Sequence, residues 1–169
     1  MIRIFNTHKV TFLILFSIFF MGCKSEPIDK PKVFTFGASV DVMNEVMAPL
    51  CDSIIKRNID PRELPTATYS QVQLDCYGFE FDGKKRKIEL VFGDDELDLV
   101  WLFTEASEQE KYIDNFKSLY GKPSHEIEDA TFFIKAGVAI RNDPHEILLI
   151  SERLKFPYEQ WLDSQIKSD

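Results

Sequence analysis

The 169-residue chain is poor in the residues from which most active sites are built. It holds three histidines and three cysteines. None of them stands in a Cys-x-x-Cys or His-Glu-x-x-His arrangement, so the usual zinc spacing is missing. A Gly-x-Ser-x-Gly elbow and a glycine-rich phosphate loop are also missing, which removes the serine-hydrolase and P-loop readings. His125 and His145 fall in expected loops, near no serine or cysteine that local sequence would activate. Positive charge is scarce: 20 Lys and Arg against 28 Asp and Glu leave a net −8. Such a surface repels nucleic acid and anionic headgroups and would suit a basic protein partner, although solubility alone also favours acidity. No apolar run reaches the ~20 residues of an ordinary membrane-spanning helix. No catalytic residue, metal ligand or cofactor is therefore assigned.

What is present at the amino terminus concerns location. MIRIFNTHK carries Arg3 and Lys9 and no acid, and VTFLILFSIFFM follows it. A basic segment before a short apolar one reads as a secretory signal. The junction Phe20-Met21-Gly22-Cys23 resembles a bacterial lipobox through Gly22 and Cys23, while Phe20 and Met21 depart from its Leu-like and small residues. That resemblance implies lipidation of Cys23 by palmitate-class acyl chains and cleavage before it. Residues 1–22 are then a signal peptide, 23–32 a polar lipidated tether, and 33–169 a single domain facing the periplasm. The alternative is a cysteine that merely follows a signal peptide, or an uncleaved anchor. By resemblance to enterobacterial sorting, Lys24 leans towards the outer membrane. Without residues 1–22 the chain keeps 147 residues, 18 basic and 28 acidic, for a net of −10. That length supports one domain with a real core.

Two further cysteines, Cys51 and Cys76, form an even pair that an oxidising compartment would join as a disulfide. The alternative is two buried thiols acting as small hydrophobes. The stretch DVMNEVMAPLCDSIIKRN has helical period, with Pro49 expected to kink or split the helix near Met47 and Cys51 on its buried side. In TYSQVQLDCYGFEF the alternation changes parity beside Gly78, which suggests a bulge that would turn Cys76 towards that helix. KIELVF and LDLVWLF pair across GDDE. A four-residue loop would place Ile88, Leu90, Phe92, Leu97, Leu99 and Trp101 on the core face.

The opposite face would then carry Glu89, Val91, Asp98, Val100 and Leu102, more apolar than a solvated sheet needs. A second element covers it, or Val91, Val100 and Leu102 form a contact surface. The basic turn Lys84, Lys85, Arg86 and Lys87 is a second candidate contact patch, for anionic groups. Asp94, Asp95, Glu96 and Asp98 lack calcium-loop spacing and read as a solvated turn. Downstream, EASEQEKYIDNFKSLYGKP is an amphipathic helix ended by Gly121, three short strands follow, and FPYEQWLDSQI gives a final helical turn or two. Trp101 and Trp161 are read as core residues. The expected fold is α+β: tandem helix-plus-three-strand units, with an antiparallel sheet of about six strands packed by helices on one face.

The order Cys76, Gly78, Phe79, Arg86, Phe92, Asp94, Leu97, Val100, Trp101, followed by a helix closed at YGKP, resembles a group of uncharacterised bacterial envelope lipoproteins. The helix-plus-sheet repeat is also similar, in topology alone, to the beta-lactamase inhibitor protein and to small outer-membrane assembly lipoproteins. These likenesses imply a non-catalytic, periplasm-facing lipoprotein that binds another envelope protein as inhibitor, adaptor or assembly factor. The alternative is an envelope hydrolase or small-molecule binder with a loop-built site.

Overall fold

The structure, a computed structural model, describes residues 27–64 and 67–166. Cys23 and the signal segment therefore lie outside the described residues. The elements run α1 (Val40–Met47), β1 (Ser53–Ile59), β2 (Gln71–Phe81), β3 (Lys84–Gly93), β4 (Glu96–Phe103), α2 (Gln109–Tyr120), β5 (His125–Ile127), β6 (Ala130–Phe133), β7 (Val138–Asn142), β8 (His145–Ile150) and α3 (Glu152–Ile166). A helix followed by a four-stranded meander thus occurs twice, and a third helix closes the chain. The two meanders join at β4 and β8 into one antiparallel sheet of order β1-β2-β3-β4-β8-β7-β6-β5. The α+β class is as expected, with eight strands in place of about six. The β2–β3 and β3–β4 hairpins turn on Asp82-Gly83 and Asp94-Asp95, all four with positive φ. Two-residue turns of that kind match the twist of the paired strands.

Helices pack on both faces, not on one. On the first face Met43 and Met47 of α1 and Tyr112 and Phe116 of α2 are buried against Leu74, Ile88, Leu90, Phe92 and Ile140. On the second, Leu154 and Leu162 of α3 pack on Val91, Leu99, Phe132, Leu148 and Ile150. The chain changes faces at Ser151, the only residue between β8 and α3, whose N–H donates to the Asp98 carbonyl. Among the described residues no helix is long and apolar enough to cross a membrane.

Helix α1 is shorter than its periodicity suggests. Pro49 has no N–H to continue it, and the N–H groups of Leu50 and Cys51 both return to the Met47 carbonyl. From Asp52, whose N–H donates to Tyr77 O, the chain enters β1. Cys51 therefore sits in a turn instead of on a helix, disulfide-bonded to Cys76 of β2 with the two Cα atoms 5.6 Å apart. Gly78 does mark a bulge. The β2–β3 register shifts between Tyr77 and Phe79, at a glycine φ of 84°, and Cys76, Phe79 and Phe81 all reach the first core. A Cβ there would meet Asp52 Oδ2 at 2.2 Å.

A second register shift corrects the β3–β4 pairing. Phe92 faces Leu97 but Val91 faces Leu99, leaving Asp98 as an extra residue on β4. Ile88 and Leu90 therefore oppose Leu102 and Val100, and Leu99 and Trp101 turn to the second face. Asp98 is held in place from the start of α3 and the residue before it: Arg153 Nε donates to Oδ1 at 2.6 Å and the Ser151 hydroxyl at 3.0 Å. The expected tether also ends early. Ile28 exchanges backbone hydrogen bonds with the Asn115 amide, Lys30 Nζ donates to Ala136 O at 2.6 Å, and Phe34 enters the first core. Residues 28–32 are thus bound to the α2 side of the domain, anchored by apolar Ile28 and Val33.

Candidate functional site

Helix α3 covers only part of the second face. Its start is tied to the sheet by Arg153 on Asp98, and its far end by Asp163, 3.2 Å from Nε2 of His125 on β5. Beside it lies a groove of about 1130 Å³. Pro157, Tyr158, Trp161 and Gln165 form the helical wall, and Trp101, Ala130, Phe132 and Leu148 come from the sheet. Glu128, Asp129 and Arg141 supply its charge, and Glu126 lines it from β5 with its carboxylate turned towards Lys117 of α2. Tyr158 and Trp161 stand almost perpendicular, ring centres 6.4 Å apart, and each also contacts Phe132. The chain has two tryptophans, and both line this groove. Trp161 keeps 46% of its surface exposed, high for a large aromatic side chain.

Next to Trp101 the sheet carries a charged row. Tyr77 pairs with Lys87, Phe103 with Glu146, and Glu146 with Arg141, all on the second face. Lys87 Nζ lies 4.8 Å from the Phe103 ring centre and 5.8 Å from that of Tyr77. The Arg141 guanidinium lies 4.8 Å over Trp101, and its Nη1 is 2.7 Å from Glu146 Oε1. Glu146 is 2% exposed, and that oxygen makes no aligned hydrogen bond. Burial pushes its carboxyl up to about 7; Glu89 adds to the effect, and Arg141 and Lys87 oppose it. Burial likewise pushes the Tyr158 hydroxyl up to about 12.

This buried acid has a pH signature. Its folded pKa lies above the ordinary 4.5, so between pH 4.5 and about 7 the native state keeps a proton that the unfolded chain has released. Stability therefore falls as pH rises through that window and levels off above it. Glu146→Gln is expected to remove this slope and to raise stability near pH 8 by up to about 3 kcal/mol. Urea midpoints of both proteins on either side of the window check this. An unchanged slope would show that Glu146 titrates normally.

The residues expected at contact surfaces are dispersed. Val91 is buried in the second core, and Val100 and Leu102 are fully buried in the first because of the Asp98 bulge. Arg86 does not belong to an exposed basic patch: it is buried, with Nη1 and Nη2 on the Glu108 carboxylate at 2.7 and 2.9 Å. Lys84 and Lys85 are at the surface, paired with Glu105 and Glu108 and with Asp52, and Lys87 is paired with Glu89. The acidic turn is structural. Asp94 accepts from the N–H groups of Thr68, Tyr69 and Ser70, and Asp95 accepts from Val40 N at the start of α1. Among the described residues no His, Cys, Asp and Glu group is placed to hold a metal.

The groove residues Trp101, Arg141, Tyr158 and Trp161 were not expected to meet. Of the apolar surplus expected on one face of the β3–β4 hairpin, Val91, Val100 and Leu102, only Val91 lies on the second face, so it did not point to the groove. Comparison with family models, curated proteins and solved structures finds no match to this chain.

Proposed function

We propose that the chain is a non-catalytic, lipid-anchored module of the bacterial envelope, facing the periplasm, that binds another envelope protein in the α3 groove. The observation behind this is the groove's position. It is a large aromatic-walled surface on the sheet face opposite the docked amino-terminal segment. Cys23 precedes Ile28 by five residues. An extended chain reaches ~3.3–3.6 Å per residue, so a lipid on Cys23 holds the α2 side within about 20 Å of the bilayer. The groove then points away from the membrane, where a periplasmic partner can reach it. A hydrolase or small-molecule binder would use the same groove, with Arg141 and Glu146 as its polar groups.

A photocrosslinking residue in place of Trp161, used in native envelopes, tests the binding role. One defined envelope protein is expected to be captured there and not from the exposed Glu110 position on α2. Identical captures from both positions, or none from Trp161, would defeat it. Trp161→Ala is expected to weaken the captured partner at least about 10-fold, as loss of a central aromatic anchor does. Its cost in stability should be about 1 kcal/mol, because half the ring is already solvated.

A further inference from the structure

The charges around the groove narrow the partner's chemistry. Two exposed acidic residues, Glu128 and Asp129 of the β5–β6 turn, line it, while Glu126 alternates to the first face, where its carboxylate lies 3.8 Å from Lys117 of α2. Among the described residues its one cation, Arg141, is already engaged by Glu146 and by the Trp101 ring. The potential over the groove is therefore negative on a chain that is itself acidic, which favours a cationic ligand by complementarity. The wall is apolar and aromatic, so the same ligand must also carry apolar side chains.

The sheet edge favours an extended polypeptide. Among the described residues β5 ends the sheet and its outer backbone edge pairs with no strand. A segment added there would alternate its side chains, one set entering the groove and the other meeting solvent. The opposite edge, β1, is longer but exposes Lys56 and Arg57, which repel a basic strand and guard that edge. Of the two open edges, charge selects β5.

We infer that the groove takes an extended segment of a partner protein, rich in Lys or Arg and carrying aromatic or aliphatic anchors, laid along β5 with its cations on Glu128 and Asp129. This rests on the binding role proposed above. The test uses two capped hexapeptides without tryptophan, Lys-Phe-Lys-Leu-Lys-Phe and the same sequence with Glu for Lys. Because both tryptophans line the groove, their emission reports its occupancy. The basic peptide is expected to shift that emission, with affinity falling as salt rises, while the acidic peptide does not bind. A Glu128→Gln/Asp129→Asn protein, altered only at an exposed turn, is expected to bind the basic peptide about 5- to 10-fold more weakly.

Equal binding of both peptides, salt-independent binding, or an unweakened double variant would overturn the inference. A silent basic peptide together with a specific capture from position 161 would overturn it and leave the binding role standing. Silence in both experiments would remove both.

Discussion

Replacing Arg86 with alanine is expected to destabilise the domain by about 3–5 kcal/mol, the range for a buried ion pair that loses one partner. Arg86 and Glu108 are 6% and 8% exposed. The guanidinium grips both carboxylate oxygens and also donates to the Tyr112 hydroxyl at 3.1 Å. Glu108 in turn accepts from the Glu105 N–H, fixing the turn that starts α2. The Arg86 hydrogen bonds, helped by Lys84, hold the Glu108 carboxyl down at about 2 against the opposing effect of burial. Alanine leaves that charge in place with only Lys84 beside it, at 2.9 Å. Since the folded pKa lies below the ordinary 4.5, the pair's contribution is present above pH 4.5 and is lost as pH falls towards 2. The Arg86→Ala protein should lack that acid-limb loss, and adding Glu108→Gln should recover part of its stability. Urea unfolding near pH 7 and near pH 3 measures both effects. A loss below about 1 kcal/mol at neutral pH would mean that the pair is solvated and not buried.

Much of the scaffold is legible because local chemistry and tertiary packing agree there. Helix α2 has its apolar stripe, and Gly121, at a φ of 83°, ends it where the sequence places a stop. Asp82-Gly83 is a strong local hairpin signal. Where long-range contacts decide, the sequence misleads. Ser53–Ile59 has enough helical period to be read as a continuation of α1, but pairing with β2 makes it a strand. The extra residue at Asp98 depends on Arg153, 55 positions away, and it exchanges Leu99 and Trp101 for Val100 and Leu102 in the first core. Pro157 suggests a short terminal helix, yet α3 runs 15 residues through it because Leu154 and Leu162 on either side are buried. The groove was out of reach for the same reason: its walls come from β4, from β5 to β8 and from α3, and only the corrected register puts Trp101 beside Arg141.

Breaking the Cys51–Cys76 bond is expected to cost about 3 kcal/mol, the chain-entropy value for a cross-link spanning 25 residues. The loss should be uneven. Cys76 is fully buried in the first core, and Cys51 stands two residues before β1, an edge strand with mostly exposed side chains. One flank of β1 is paired with β2 and the other, among the described residues, with no strand, so the disulfide is its covalent hold on the sheet. In a Cys51→Ala/Cys76→Ala protein, amide hydrogen exchange should accelerate most in β1 and the turn after α1, and least in β4 and β8 at the centre. The groove is built from the second meander, α3 and Trp101 of β4, so peptide-induced tryptophan emission should persist while the variant stays folded. Equal acceleration across β1, β4 and β8 would instead mean that the disulfide acts through global unfolding alone.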